Sequence, residues 1–338
     1  MNISDFDFDL PAELVAQTPI EPRDSCRLLV LERATSALSH RRFTDLPSLL
    51  RPGDLVVLND TRVFPARLDG RKPTGGLVST LLIRHVDDRE WVALVQPALR
   101  IGQVIQFTAD FSAEVTAIGA DGDRCLRFNR DGADLDWLIH QVGRMPTPPY
   151  VKSLLARPDD YQTVYAREEG SVAAPTAGLH FTDSLVQDLV SRGIELAYLT
   201  LHVGLGTFRT IKVDDVSRHQ MHAESFQILE KAARQINRAR DQGRRVVAVG
   251  TTTVRTLESV ADPDGRVQTA SGETTLFIVP GYRFRCVDAL ITNFHVPRST
   301  LLILVSALAG RERILTAYEE AKARGYRFFS FGDSMLIL

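Results

Sequence analysis

Apolar residues fall along this chain in two textures. Between Val63 and Tyr150 they come as short alternating runs parted by turn residues: Leu77 to Val86 before Asp87-Asp88, Trp91 to Val95 before Gly102, Val104 to Phe107, Ala113 to Ile118 before Asp121-Gly122, and Cys125 to Phe128. Closely spaced runs of period two predict a small β-barrel or sandwich. From Gly170 onward helical and extended periods alternate. Thr182 is placed to cap a helix with Leu185, Val186, Leu189 and Val190 on one face and Gly193 just past its end, and Ile194 to Leu201 then reads as a strand. A helix over 230–242, ending near Gly243, precedes a buried strand from Val246 to Val249, and Gly250-Thr251-Thr252-Thr253 opens another helix. Ser299 caps a helix closed by Gly310, a further helix runs from about Glu312 to Arg324, and Tyr326 to Phe331 and Met335 to Leu338 read as extended.

Asp54 to Leu58 is also a strand of the buried type, and it ends in Asn59-Asp60-Thr61-Arg62 just before the alternating region. The expected architecture is a mixed α/β domain built from residues 1–62 plus 151–338, interrupted by an inserted small antiparallel β-barrel domain over 63–150. A length of 338 residues suits two domains.

Composition narrows the function classes. With 44% hydrophobic and 24% charged residues the chain is of the globular type, and its longest apolar stretch, Leu301 to Ala309, falls well short of the roughly 20 residues that span a bilayer. No membrane association is expected. Asp5, Asp7 and Asp9 stand where an export signal would carry positive charge, so a cytoplasmic location is expected. Cys26, Cys125 and Cys286 are odd in number and have no C-x-x-C spacing, which offers neither a disulfide framework nor a thiolate zinc site. A net charge of −2 argues against nonspecific coating of nucleic acid and leaves room for a local basic patch.

No phosphate-binding G-x-x-x-x-G-K-[ST] loop, G-x-S-x-G elbow or H-E-x-x-H zinc motif is present. His202-Val203-Gly204-Leu205-Gly206 follows a predicted strand but lacks the third glycine of a dinucleotide loop; it is either a plain turn or a ligand-lining loop. Gly250-Thr251-Thr252-Thr253-Val254-Arg255 places a glycine and hydroxyls at a helix start, which suits a carboxylate or phosphate but equally suits an ordinary helix cap. In His219-Gln220-Met221-His222-Ala223-Glu224 the two imidazoles lack a third metal ligand; if the stretch is extended, His222 and Glu224 share a face as an acid/base pair. His180, His202 and His295 all fall at predicted strand–helix junctions, a coincidence that favours a cleft.

The string Gly170-Ser171-Val172-Ala173-Ala174-Pro175-Thr176-Ala177-Gly178-Leu179-His180-Phe181-Thr182 closely resembles the S-adenosylmethionine:tRNA ribosyltransferase-isomerase family of queuosine biosynthesis. The likeness runs from Asp5 to Ile337 through DFDFDLP, VVLNDTRVFPARL (56–68), GRMPTPPY (143–150), YQTVYA (161–166), TLHVGLGTF (200–208), HQMHAE (219–224), AVGTTTVRTLES (248–259), TNFHVPRSTL (292–301) and YRFFSFGDSM (326–335). Three departures are visible: Ser79 where the family usually has an acid, Thr147 for a usual Leu, and Val296 for a usual Leu.

The resemblance implies an α/β domain with an inserted β-barrel. It also implies transfer of the ribosyl part of S-adenosylmethionine to the aminomethyl group of a deazaguanine at the wobble position of tRNA, giving epoxyqueuosine and releasing adenine and methionine. Such chemistry needs a base beside the sulfonium and an acid for the departing adenine, and no metal or redox cofactor; S-adenosylmethionine is a co-substrate. Among the motif residues, His180 and His202 are the expected proton carriers, with Glu224 positioning or stabilising the cation. Thr176, Gly204, Gly206, Gly250, Thr251, Arg255 and His295 are the expected S-adenosylmethionine site, and Gly250, Thr251 and Arg255 would hold its carboxylate. Arg62, Arg67, Arg144 and Lys152, where the chain enters and leaves the insertion, are the expected tRNA contacts, and a monomer is expected. The rival readings are an S-adenosylmethionine-dependent RNA methyltransferase, which would normally carry an acid before its glycine loop, and a noncatalytic RNA-binding module.

Overall fold

The structure, a computed structural model, describes residues 1–153, 155–204, 211 and 213–338. The chain opens with β1 (Arg27–Leu31), β2 (Leu38–Arg42), a single helical turn α1 (Leu46–Leu49) and β3 (Leu55–Asn59), followed by β4 (Thr61–Val63). Then come β5 (Arg67–Arg71), β6 (Leu77–His85), β7 (Glu90–Gln96), β8 (Val104–Gln106), β9 (Ser112–Ile118), β10 (Arg124–Phe128) and α2 (Gly132–Val142). The remainder alternates: β11 (Glu168–Ser171), α3 (Asp183–Ser191), β12 (Glu195–Leu201), β13 (Glu224–Ile228), α4 (Glu230–Asp241), β14 (Val246–Val249), α5 (Thr251–Val260), β15 (Ala270–Thr274), β16 (Ala289–Asn293), α6 (Thr300–Ala309), α7 (Arg311–Ala323) and β17 (Ser334–Ile337).

These elements form two compact units, one of Met1–Arg62, Pro148–Glu169 and Ala174–Leu338, the other of Val63–Thr147 with Gly170–Ala173. The first holds a nine-stranded sheet in the order β15-β13-β12-β3-β14-β16-β17-β1-β2. Its centre, β12-β3-β14-β16, is parallel. Both faces of that centre are covered, so its strands are mainly apolar rather than alternating, with Asn59, Thr200, Thr292 and Asn293 gathered toward their carboxyl ends. Leu29, Leu55, Val57, Val246, Ala248 and Leu290 meet Ile236 of α4, Leu257 of α5, Val305 of α6 and Tyr318 of α7. Leu28, Val56, Leu58, Val247, Val249 and Ile291 meet Phe43, Phe181 and the α3 residues Leu185 and Leu189 on the other side.

The second unit is a closed antiparallel barrel in the order β10-β7-β6-β5-β8-β9. Phe111 and Phe128 stack inside it with ring centroids 5.4 Å apart. Closure needs a residue without a side chain on β5, because a Cβ on Gly70 would lie 2.6 Å from Ile105 of the facing strand β8. The fold is therefore mixed α/β with a small antiparallel barrel, as the two textures of the sequence imply.

Local signals act as expected at the helix ends. Thr182 and Ser299 accept hydrogen bonds from the N–H groups of Leu185 and Leu302, both at 3.2 Å. Two expectations fail. On α3 only Leu185 and Leu189 are buried, and Val190 is exposed because the helix touches the sheet along a narrow stripe. Tyr326–Phe331 is not a strand; it makes one isolated bridge, Val15 to Phe328. The Asp333 carboxylate takes the N–H groups of Arg27 and Arg327 at 2.8 and 2.7 Å, and Phe329 turns the chain at φ +71°.

Candidate active site

Ligands of open α/β sheets bind outside the carboxyl ends of the parallel strands. Four adjacent strands end here in the motifs read from the sequence: β3 in Asn59-Asp60-Thr61, β12 in His202-Val203-Gly204, β14 in Gly250-Thr251-Thr252, and β16 in Asn293-Phe294-His295. Two clefts open over these ends. The first encloses about 600 Å³, open solvent included, between Tyr150, the Ala174–Ala177 turn, Val203, Gly250–Thr252, Thr292–Val296 and Phe329–Ser330. The second, about 510 Å³, is lined by His219, His222, Glu224, Arg255, Phe277 and Leu304 among others. Thr251, Thr252 and Leu301 line both.

The first cleft brings together Thr176, Gly250, Thr251 and His295 of the expected S-adenosylmethionine residues. Gly250 occupies the N-cap of α5 at φ +86° and has no side chain to offer the helix, so the first N–H groups of α5 depend on other acceptors. A dipole end of that kind, at the wall of a cleft, attracts an anion. His295 is buried, its Nε2 lies 2.8 Å from the Thr292 hydroxyl, and burial lowers its pKa to about 3. Tyr150 also lines this cleft: its hydroxyl is 2.5 Å from the Ser330 hydroxyl, its ring centroid is 4.8 Å from that of Phe329, and burial pushes its pKa up to about 12.

Arg255 lines the second cleft rather than the first. Its guanidinium forms a buried ion pair with Glu224, and its Nε donates to the Leu276 carbonyl at 3.0 Å. Glu224 also accepts the Gly204 N–H at 2.9 Å, which ties the end of β12 to the second cleft. The 219–223 stretch lies outside any strand; β13 begins at Glu224, which is buried, whereas His222 is exposed. The two therefore do not share a strand face, although both border the same cleft. His219 is half-buried, and burial, then the nearby His222, lower its pKa.

His202, which lines neither large cleft although its neighbour Val203 lines the first, stands at the end of β12 with Nδ1 2.8 Å from the Thr61 hydroxyl. Burial lowers its pKa against an opposing pull from Glu168, so its imidazole is mostly neutral near pH 7. Asp60, next along β3, accepts the Thr200 hydroxyl at 2.7 Å, and burial raises its pKa. His180 lines neither large cleft. It borders a smaller cavity of about 250 Å³ with Arg23, Asp160 and Ser330. Its Nδ1 is 3.3 Å from Cys26 Sγ and its Nε2 is 3.0 Å from Asn293 Nδ2. Burial first, then Arg327 and Arg23, lower its pKa to about 3. Gly206 lies outside the described residues.

Of the four basic residues, Arg67 and Arg144 pair backbone to backbone in the barrel unit, while Arg62 and Lys152 belong to the α/β unit. Arg144 is ion-paired to Asp69, and Arg67 donates to the Ser79 hydroxyl at 3.3 Å. Asp288 and Asp333 accept backbone N–H groups from Val246 and from Arg27 and Arg327. Among the described residues no cluster of three or more His, Cys, Asp or Glu is arranged for a metal ion. No helix of the described residues is long and apolar enough to cross a membrane.

Several cleft residues carry no titratable side chain and are invisible to a search for acids and bases. Asn293, Thr252, Ser330 and the left-handed Phe329 are the main ones. The available signal was that Asn293 and Ser330 lie inside long motifs beside histidines or glycine.

Residues 3–337 match the family model described as queuosine biosynthesis protein. The chain is similar to the S-adenosylmethionine:tRNA ribosyltransferase-isomerases of Symbiobacterium thermophilum, at 54% identity over 343 residues, and Moorella thermoacetica, at 53% over 342, with 100% of each chain covered. It is also similar to the crystal structure of S-adenosylmethionine tRNA ribosyltransferase from Thermotoga maritima, with 40% identity, a TM-score of 0.59, and 99% of this chain and 100% of that one covered. With its parallel strand ends gathered around two adjoining clefts and this match along nearly its whole length, the chain belongs to the queuosine biosynthesis protein family.

Proposed function

We propose that this chain is an S-adenosylmethionine:tRNA ribosyltransferase-isomerase. It transfers the ribosyl part of S-adenosylmethionine to the aminomethyl group of a deazaguanine at the tRNA wobble position and releases adenine and methionine. The observation that carries the reading is the pair of clefts divided by the starts of α5 and α6, with Thr251, Thr252 and Leu301 shared between them. Two substrates that exchange a group need two adjoining seats.

In this reading the first cleft takes S-adenosylmethionine, with its carboxylate on the start of α5 at Gly250 and Thr251. Tyr150 and Phe329 supply an apolar wall for the nucleoside. The positive sulfonium acidifies the neighbouring carbon and leaves as a thioether, so the chemistry needs no metal or redox cofactor. A base must take that proton, and His202, hydrogen-bonded to Thr61, is the proposed base. Glu224, held by Arg255 and by the Gly204 N–H, is the proposed counter-charge for the cation that develops as adenine leaves. The tRNA is held through Arg62, Arg67, Arg144 and Lys152, and its target base must be unstacked to reach the cleft. The protein works in the cytoplasm as a monomer.

The test is an incubation with S-adenosylmethionine labelled separately in the methyl group and the adenine, with and without tRNA carrying the aminomethyl-deazaguanine. Adenine and methionine are expected only with the modified tRNA, in equal amounts. Methyl label in the RNA would overturn the reading in favour of methyl transfer.

A further inference from the structure

We infer that Thr176 is the residue that reads the amino group of the amino-acid end of S-adenosylmethionine, and that Asn293 and His180 are positioning residues that fix Thr176 as a hydrogen-bond acceptor. The inference rests on the proposed occupant of the first cleft and adds to it the polarity of one wall.

The polarity follows from one obligate acceptor. The Phe329 carbonyl, held by the left-handed turn at that residue, can only accept, and Asn293 Nδ2 lies 3.2 Å from it. The amide of Asn293 is therefore oriented with its nitrogen on that side. The second Nδ2 hydrogen points to His180 Nε2 at 3.0 Å, which must be a lone pair. The imidazole proton then resides on Nδ1, facing Cys26 Sγ at 3.3 Å. On its other side Asn293 presents Oδ1 to the Thr176 hydroxyl at 3.0 Å, and because Oδ1 cannot donate, the hydroxyl must.

With its only proton directed at Asn293, the Thr176 oxygen has only lone pairs left for anything else. Thr176 and Asn293 both line the first cleft, whereas His180 does not. The wall thus offers acceptors and favours a ligand donor. The neighbouring residue identifies which donor: a Cβ on Gly250 would lie 3.7 Å from Ala177 Cβ, so the Thr176-Ala177 turn abuts the start of α5. An acceptor beside an anion-binding helix end suits an ammonium and a carboxylate borne on one carbon.

Steady-state kinetics at saturating modified tRNA test this with two ligands, S-adenosylmethionine and its analogue lacking only the α-amino group. Wild-type protein is expected to favour the amino compound in kcat/KM by roughly 10- to 100-fold, the range for a hydrogen bond to a charged group. Thr176→Val should remove most of that preference by raising KM for S-adenosylmethionine while leaving the analogue unchanged. His180→Gln keeps an acceptor for Asn293 and should retain the preference; His180→Leu should lose it through KM rather than kcat. Equal losses for both ligands in Thr176→Val, or an undiminished preference, would overturn the inference alone. Failure of wild-type protein to use S-adenosylmethionine at all would overturn the proposed function and this inference with it.

Discussion

Acidification should destabilise this protein through two histidines that the fold buries in neutral form. His180 and His295 carry pKa values of about 3, against an ordinary value of 6.5. The unfolded chain takes up a proton on each below about pH 6.5, and the native state takes none until near pH 3. Stability from both groups is therefore fully present above pH 6.5 and is lost as the pH falls toward 3. Each histidine adds a slope that approaches about 1.4 kcal/mol per pH unit as its unfolded form becomes protonated, so the pair should remove roughly 3 kcal/mol between pH 6.5 and 5. Carboxylates contribute mainly below that window, which leaves pH 6.5 to 5 to the histidines. The assay is urea unfolding at half-unit pH steps for wild type, His180→Gln and His295→Gln. Each variant should lower the slope by about 1.4 kcal/mol per pH unit, whatever its stability at pH 8. A variant whose slope matches wild type would refute the claim that its imidazole is held neutral.

The buried Glu224–Arg255 pair gives a second prediction: Glu224→Ala should cost about 3 to 5 kcal/mol by stranding the guanidinium, read as a loss in melting temperature of several degrees. Pairing Glu224→Leu with Arg255→Met should restore part of that loss without restoring adenine release; full recovery of turnover would remove Glu224 from the mechanism. His202→Gln should lower kcat by about 10²- to 10⁴-fold with little change in melting temperature, and a smaller effect on kcat would exclude it as the base. Neutralising Arg67 or Arg144 should reduce the salt slope of tRNA binding by roughly one unit each, with KM for S-adenosylmethionine unchanged; an invariant slope would show that these charges serve only the barrel. Gly70→Ala should open the β5–β8 seam and lower barrel stability by about 1 to 3 kcal/mol, measurable as a shifted unfolding midpoint.

Much of the fold was legible because its signals are local. The switch from period two to alternating helix and strand periods marks the barrel, and Thr182, Ser299, Gly193 and Gly310 punctuate helices through caps that involve only neighbouring residues. The failures were long-range in origin. Tyr326–Phe331 has the apolar character of a strand, but its backbone N–H groups go to scattered partners: Arg327 to the Asp333 carboxylate, Phe328 to the Leu14 carbonyl and Phe329 to the Phe294 carbonyl. The motifs ending β14 and β16 do line a cleft, through Gly250–Thr252 and Asn293–His295, whereas His180 and His202 lie outside both large clefts. The roles within it were harder to read. Arg255 looks like a free cation beside a helix start until Glu224, 31 residues earlier, is seen to occupy it. His180 looks like a general base until Asn293 and Cys26 are found on its two nitrogens. A ranking by titratable side chain also passes over Asn293, whose amide joins the Thr176–His180 segment to Phe329.

The starts of α5 and α6 form a party wall between the two clefts. Selection cannot reshape one side of such a wall without the tenant on the other noticing, so Thr251, Thr252 and Leu301 should tolerate little change even where neither ligand touches them directly. Anyone wishing to retune one cleft alone would do better to work on its outer boundary: Tyr150 and Phe329 for the first, His219 and Phe277 for the second.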